Sequence, residues 1–78
     1  MPSLIGLMPR LIKHGCCRAV VIALRKYDPK KYRTLKFNDP QPLHFVRYEE
    51  AVAALRVSVR KSRRRIFRTA LDILEPAG

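Results

Sequence analysis

Residue types on which enzymes depend are scarce in this chain of 78 residues. It has three glycines, so no glycine-rich loop is present to cradle a nucleotide phosphate. Its six acidic residues do not form the carboxylate cluster that a metal ion would need. Neither histidine belongs to a recognisable arrangement with a serine, cysteine or carboxylate. The sequence therefore predicts a protein that is not an enzyme and that uses no cofactor.

Cysteine is also scarce, and the two residues present, Cys16 and Cys17, are adjacent. Neighbouring cysteines rarely reach disulfide geometry with each other, so the disulfide framework of small secreted proteins is missing. The histidines His14 and His44 do not supply the spacing of a zinc site. The pair indicates a reducing compartment and two small apolar side chains in a buried segment.

Long uncharged apolar runs are missing as well. After Arg18 the longest such run is 19–24, far shorter than the ~20 residues that a membrane-spanning helix requires. Arg10 and Lys13 also divide the apolar stretch near the N-terminus, which argues against a secretory signal. We therefore predict no transmembrane segment.

The N-terminal region instead resembles a mitochondrial import sequence. No acidic residue precedes Asp28, and basic residues punctuate an apolar background. Pro9 and Gly15 depart from that pattern, because they would interrupt the helix that such a segment forms. The predicted location is the mitochondrial matrix, with the cytoplasm or nucleus as the alternative.

Positive charge is the property that the chain has in excess. Lysine and arginine together number 17, which gives a formal net charge of +11. Self-repulsion of this size opposes compaction unless a polyanion neutralises it, so the charge implies an anionic partner. Nucleic acid, an anionic membrane and an acidic protein are the candidates. The apolar fraction of 47% excludes a simple disordered basic tail.

The first half of the chain predicts three short segments. Residues 1–15 form an apolar and basic N-terminal arm, which Pro9 ends or kinks. Residues 16–27 are predicted to be a helix, although the β-branched run 20–22 leaves a strand as the alternative. Asp28 and Pro29 end that helix by Tyr27. Residues 28–45 are predicted to be an extended basic arm, KKYRTLKF at 30–37, followed by a proline-rich loop, NDPQP at 38–42. The alternative for the arm is a solvated linker whose two rings, Tyr32 and Phe37, pack onto the helix.

The second half predicts one long amphipathic helix over residues 46–75. Glu49 and Glu50 suit its first turn, and Pro76 ends it. Apolar and small residues recur every three or four positions and define one face, which we call the seam. The seam comprises Phe45, Tyr48, Val52, Leu55, Val59, Ser62, Ile66, Thr69 and Ile73. The rest of the chain offers little apolar sequence to cover it, so we predict a mainly α protein with little independent globular core.

The opposite face of this predicted helix carries the densest charge in the chain. The cluster RKSRRR at 60–65 holds five cations in six positions, and no acid lies between Glu50 and Asp72. A solvated face usually mixes charge signs, so this density favours phosphate contact, with a nuclear localisation signal as the competing interpretation. Arginine suits that role because its guanidinium binds phosphate through two parallel hydrogen bonds. The predicted nucleic-acid contacts are Lys30, Lys31, Tyr32, Arg33, Lys36, Arg56, Arg60, Lys61, Arg63, Arg64, Arg65 and Arg68.

The segments KKYRTLKF and RKSRRRIFR, in a small and very basic chain, resemble the small subunits of ribosomes. The resemblance is one of composition over the whole chain and includes no family motif. It implies a structural subunit, mitochondrial by its N-terminus, that binds ribosomal RNA and packs on neighbouring ribosomal proteins. The predicted protein interface comprises Val52, Leu55, Val59, Ile66 and Ile73. The alternatives are an accessory subunit of a mitochondrial membrane complex and a small DNA-binding dimer whose seam forms a coiled coil, although Ser62 and Thr69 weaken such a coil.

Overall fold

Helices account for all the regular secondary structure in the described part of the chain, residues 4–38 and 43–76 of a computed structural model. Most of the predicted NDPQP loop lies outside these residues. The five helices are α1 (Leu4–Lys13), α2 (Cys17–Tyr27), α3 (Pro29–Tyr32), α4 (Tyr48–Lys61) and α5 (Arg65–Leu74). The mainly α prediction is confirmed, but the order of long and short elements differs from the sequence-based expectation.

The N-terminal arm is a helix that passes through Pro9 without ending there. Proline removes a donor to the carbonyl four residues earlier, that of Ile5. Pro9 is exposed and Ile5 is 54% exposed, so water can reach that side of the helix. The helix ends instead at Lys13, two residues before Gly15, whose φ of +66° is in the left-handed region. Gly15 N–H donates to Ile12 and Cys16 N–H donates to Leu11, which is the Schellman arrangement.

Helix α2 is the centre of the fold and contacts each of the other four helices. Residues 16–27 were predicted as helix with a strand alternative, and the structure confirms the helix. It ends at Tyr27, as the Asp28–Pro29 pair predicts. The Asp28 carboxylate also accepts a hydrogen bond from Lys31 N–H at 3.2 Å, which caps α3.

The predicted extended arm over 28–45 is not a free arm. Residues 29–32 form the short helix α3, and Tyr32 is 7% exposed and belongs to the core. Leu43 and Val46 are also buried. Burial of these apolar groups against the helices stabilises the segment, whereas an extended chain would leave them in water.

The single helix predicted over 46–75 is two antiparallel helices. Ser62 and Arg64 have extended backbones, so α4 ends before them and α5 begins after them. Two contacts show the reversal: Tyr48 O–H donates to the Leu74 carbonyl, and Arg56 pairs with Glu75. Folding back lets the apolar face of α5 contact α1, α2 and α4, which a straight helix could not do. The break also separates cations that would repel each other along a continuous helix.

The break also changes which residues of α5 face inward. The buried positions are Phe67, Ala70, Leu71 and Leu74, spaced as one helical face. The predicted seam had placed Ile66, Thr69 and Ile73 there, and these are half-buried. The extended residues between the helices reset the helical phase by about one position, so a periodicity carried across from α4 could not be correct in α5.

The helices enclose a core, contrary to the prediction of little globular core. It comprises twenty buried apolar residues among those described, drawn from all five helices and from residues 16, 43 and 46. The radius of gyration is 11.1 Å, close to the roughly 11.5 Å expected for a folded domain of this length. The core closes because α1, which lies in the predicted N-terminal arm, contributes Leu4, Met8 and Leu11.

Candidate nucleic-acid interface

The basic cluster at residues 60–65 spans the end of α4, the connecting residues 62–64 and the start of α5, and we call it the basic turn. Its five cations are Arg60, Lys61, Arg63, Arg64 and Arg65, and all are exposed. The backbone is ordered locally by Ser62, whose N–H donates to the Ser58 carbonyl and whose Oγ accepts from Arg64 N–H at 3.3 Å. The Arg64 guanidinium lies 5.7 Å from the centroid of the Phe67 ring. The turn therefore presents closely spaced charges on a defined backbone.

Among the described residues, the acidic side chains that form ion pairs do so with cations outside the basic turn. In the described residues, Glu50 pairs with Lys31 at 2.7 Å, Asp72 pairs with Arg68 at 3.4 Å, and Glu75 pairs with Arg56. None of the five turn cations takes part in these ion pairs. The first turn of α5 adds backbone N–H groups and the positive end of its dipole, and no acid offsets them. The basic turn therefore has the charge that an anion would neutralise.

A groove between α4 and α5 extends the positive surface along the helices. Arg56, Arg60 and Arg68 line it, and Val59 and Leu71 supply its apolar part. Arg60 belongs to both the basic turn and this groove, so the two are continuous. The structure thus brings together seven of the predicted contacts into one surface, which we call the basic surface. They are Arg56, Arg60, Lys61, Arg63, Arg64, Arg65 and Arg68, joined by Lys26.

The basic surface also includes Lys26, which the sequence-based prediction missed. Lys26 lies in the last turn of α2 and lines a pocket with Lys61 and Ser62. A cation in the last turn of a helix is common, because it complements the negative end of the dipole, so its sequence position gave no functional signal. Seven sequence-predicted residues and Lys26 therefore form the basic surface.

The other predicted contacts are Lys30, Lys31, Tyr32, Arg33 and Lys36. Lys31 pairs with Glu50 in the first turn of α4, at the end of that helix opposite to the basic turn, and α4 is about 21 Å long at 1.5 Å per residue. Lys30, Arg33 and Lys36 are exposed. Tyr32 is a correction: its ring is 7% exposed and cannot stack on a base. Phe37 is 44% exposed, and the Arg18 guanidinium lies 4.9 Å from its ring centroid.

The predicted protein interface is partly internal. Val52 is 6% exposed and Leu55 is fully buried, so neither is available to a neighbouring protein. Val59, Ile66 and Ile73 are half-buried and pack against the core. The large apolar side chains that do face solvent include Ile5 and Ile12 of α1, which are 54% and 60% exposed.

The cysteines are free thiols in a protected setting. Burial, together with the neighbouring Cys17, raises the pKa of the Cys16 thiol above its ordinary value of 9.0. Burial also raises the pKa of Cys17. Both thiols are therefore protonated near neutral pH, and a protonated thiol is a poor nucleophile and a poor metal ligand. Cys16 Sγ lies 3.5 Å from the His14 carbonyl, to which it donates.

Fold and charge together define a small helical domain with one dominant basic surface. Comparison of the chain with protein families, with curated proteins and with solved structures finds no match. Within residues 4–38 and 43–76, no helix has both the length and the apolar character needed to cross a membrane.

Proposed function

We propose that this protein is a structural RNA-binding subunit of a ribosome, which contacts RNA phosphates through its basic surface. The observation that carries the proposal is the basic turn, where five exposed cations share one short segment without an ion-pair partner among the described residues. Such a concentration of like charge is unfavourable in the free protein and is relieved by a polyanion. The proposed role is one of binding and positioning, without catalysis.

The proposed setting is the mitochondrial ribosome, in the matrix, with the cytoplasm or nucleus as the alternative. The import-like N-terminal charge pattern and the composition of the whole chain support it. The neighbouring ribosomal proteins would pack on exposed apolar side chains such as Ile5 and Ile12, since Val52 and Leu55 are buried within the chain. That burial also removes the seam on which a coiled-coil DNA-binding dimer would depend.

The binding proposal is tested by neutralising the basic turn. Replacing Arg63, Arg64 and Arg65 together by glutamine should weaken RNA binding and lower the slope of log affinity against log salt by about two to three, roughly one per lost phosphate contact. Fluorescence anisotropy with a labelled RNA, measured over a range of salt concentrations, gives both quantities. The loss should be similar for RNAs of different sequence, because phosphate contacts carry no base information.

The matched control removes the same charge elsewhere. Arg10, Lys13 and Arg47 are exposed cations outside the basic surface, and their triple glutamine variant has the same net charge as the turn variant. An equal loss in the two variants would show that net charge alone drives binding and would reject the basic turn as the site.

The ribosomal setting needs a separate test. Tagged protein from cells should sediment with ribosomal particles and leave them after nuclease treatment or in high salt. Sedimentation that nuclease treatment does not change would reject the ribosomal setting. Copurification with a detergent-solubilised membrane complex would favour the accessory-subunit alternative.

A further inference from the structure

Ser62 lies at the centre of the basic turn, where the chain leaves α4 and approaches α5. Its backbone is extended, with φ of −128° and ψ of 141°, and the backbone of Arg64 is extended too, with φ of −68° and ψ of 122°. Ser62 is half-buried, and the cations on both sides of it are exposed. They are Arg60 and Lys61 before it and Arg63, Arg64 and Arg65 after it. The turn therefore presents a partly exposed serine in a short extended segment without acidic residues.

The hydroxyl of Ser62 is placed so that it can react. Its Oγ accepts a hydrogen bond from Arg64 N–H at 3.3 Å, and this bond uses one lone pair of the oxygen. The bond engages neither the hydroxyl proton nor the second lone pair. The oxygen can therefore attack an electrophilic phosphorus atom while the bond that orders the turn is kept.

The other serine and threonine side chains of the described residues are less suited to modification. Ser58 is 7% exposed within α4, and the Thr69 hydroxyl donates to the Arg65 carbonyl within α5. Thr34 is exposed, but it has three cations within three residues, whereas Ser62 has five. Ser62 thus combines partial exposure, an extended backbone and the highest local positive charge.

A protein kinase with an acidic substrate groove would recognise this segment by charge complementarity. In the transfer, Ser62 Oγ attacks the γ-phosphorus of ATP and forms the ester bond. The bond between that phosphorus and the oxygen of the leaving ADP breaks, and the serine proton passes to a carboxylate base of the kinase. The basic turn supplies the nucleophile and the charges that such a kinase selects.

A phosphate on Ser62 would change the charge of the turn at the place where RNA is proposed to bind. Phosphoserine carries a charge of about −1.5 to −2 near pH 7 and three strong acceptor oxygens. It would lie beside Arg63 and Arg64 and compete for their N–H groups through charge-assisted hydrogen bonds. The five positive charges of the turn would fall to a net of about three, and RNA phosphates would meet an anion of their own sign.

We propose that Ser62 is the phosphorylation site of a serine kinase that selects basic substrates, and that the phosphate switches off RNA binding by the basic turn. The site stands on the geometry and charge of the turn, whereas the switch rests on the proposed RNA-binding function.

The site is tested by treating the native protein with ATP and the catalytic domain of protein kinase C and mapping the product by mass spectrometry. We expect phosphate on Ser62 and none on the buried Ser58. Thr34→Ala should still accept phosphate on Ser62, whereas Ser62→Ala should lose the mapped site. Phosphate on Thr34 with none on Ser62, or no phosphate at all, would overturn the assignment.

The switch is tested by fluorescence anisotropy with a labelled RNA, using phosphorylated Thr34→Ala protein and the same preparation after phosphatase treatment. Phosphorylation should weaken binding about 10- to 30-fold at roughly 0.15 M salt and lower the slope of log affinity against log salt by about two, the loss expected when two phosphate contacts are cancelled. The double variant of Thr34→Ala and Ser62→Ala, carried through the same kinase treatment, should bind as tightly as the dephosphorylated protein. Circular dichroism checks that the phosphorylated protein keeps its helices.

The outcomes separate the switch from the proposed function. Equal affinity before and after phosphatase treatment would reject the switch and leave the proposed function standing. Absence of salt-dependent RNA binding by the dephosphorylated protein would reject the proposed function and the switch together, whereas the site is decided by the mapping alone.

Discussion

Gly15 has the one positive φ among the described residues, and the join between α1 and α2 depends on it. Apart from Gly15 and its two chain neighbours, no residue has a heavy atom within 4 Å of the position where a Cβ would stand, so space is not the constraint. The constraint is the backbone, because a side chain in the left-handed region costs about 1–2 kcal/mol. Gly15→Ala should therefore lower the free energy of unfolding by about 1 kcal/mol, measured by urea denaturation.

Asparagine provides the control at the same position, because it tolerates left-handed geometry better than alanine does. Gly15→Asn should retain more stability than Gly15→Ala although its side chain is larger. The opposite order would show that steric contact, and not φ, decides the effect.

Single residues were predictable where a local rule acts alone. Asp28 and Pro29 stopped α2 at Tyr27 as predicted, because proline restricts its own backbone and that of the residue before it. Tyr32 was predicted as an RNA contact and is buried. Its sequence neighbours are lysines and an arginine, and nothing local indicates that a short helix turns this one ring toward the core.

At the scale of elements, the α4–α5 hairpin determines which arginine side chains of the basic surface are held in ion pairs. Arg56 lines the groove of the basic surface, yet Glu75 holds it, with Arg56 Nε donating to Glu75 Oε2 at 3.0 Å. Both side chains are about half exposed, so the pair contributes little to stability. Glu75 therefore occupies the guanidinium that the proposed function assigns to a phosphate, and Arg68 is held in a similar way by Asp72.

Glu75→Gln should raise RNA affinity by about two- to fivefold, the gain expected from releasing a surface ion pair of 0.5–1 kcal/mol. Glu49→Gln is the matched control, because it makes the same charge change at an exposed acid outside the three ion pairs. Anisotropy titrations of the two variants at one salt concentration separate local release from net charge. An equal gain in both variants would rule out competition between Glu75 and phosphate.

The break between α4 and α5 is the element that sequence reasoning missed. Residues 62–64 contain neither glycine nor proline, and the i, i+3, i+4 spacing continues across them. The helix ends there because folding back buries Phe67 and Leu74 against the other helices, a long-range effect that local propensity does not record. The cation cluster was correctly identified as the densest charge, but its place on a turn could not be read from periodicity.

At the scale of the whole molecule, the packing of α1 makes the import-like N-terminal segment part of the core. Leu11 is fully buried, whereas Ile12, the next residue, is 60% exposed. Leu11→Ala should lower the free energy of unfolding by about 2–4 kcal/mol, because it removes buried methyl groups and leaves a cavity. Ile12→Ala removes the same number of carbon atoms from a solvent-facing position and should change the free energy of unfolding by about 0.5 kcal/mol or less.

Chemical denaturation of the two variants compares them directly. Similar small effects would show that α1 is dispensable, as a cleavable leader would be. The compact fold itself was not predictable from the sequence. Pro9 led to the prediction that residues 1–15 are an arm, and without α1 the remaining apolar segments were too few to cover the seam.

The packing of α1 against α5 joins the first and last helices of the described chain. During synthesis α1 is made before α5. The apolar face of α1 that packs on α5 must therefore wait in a non-native state, and the domain can close only after α5 has been made. Until that point the segment that contains α1 is available to other partners in an incompletely folded form.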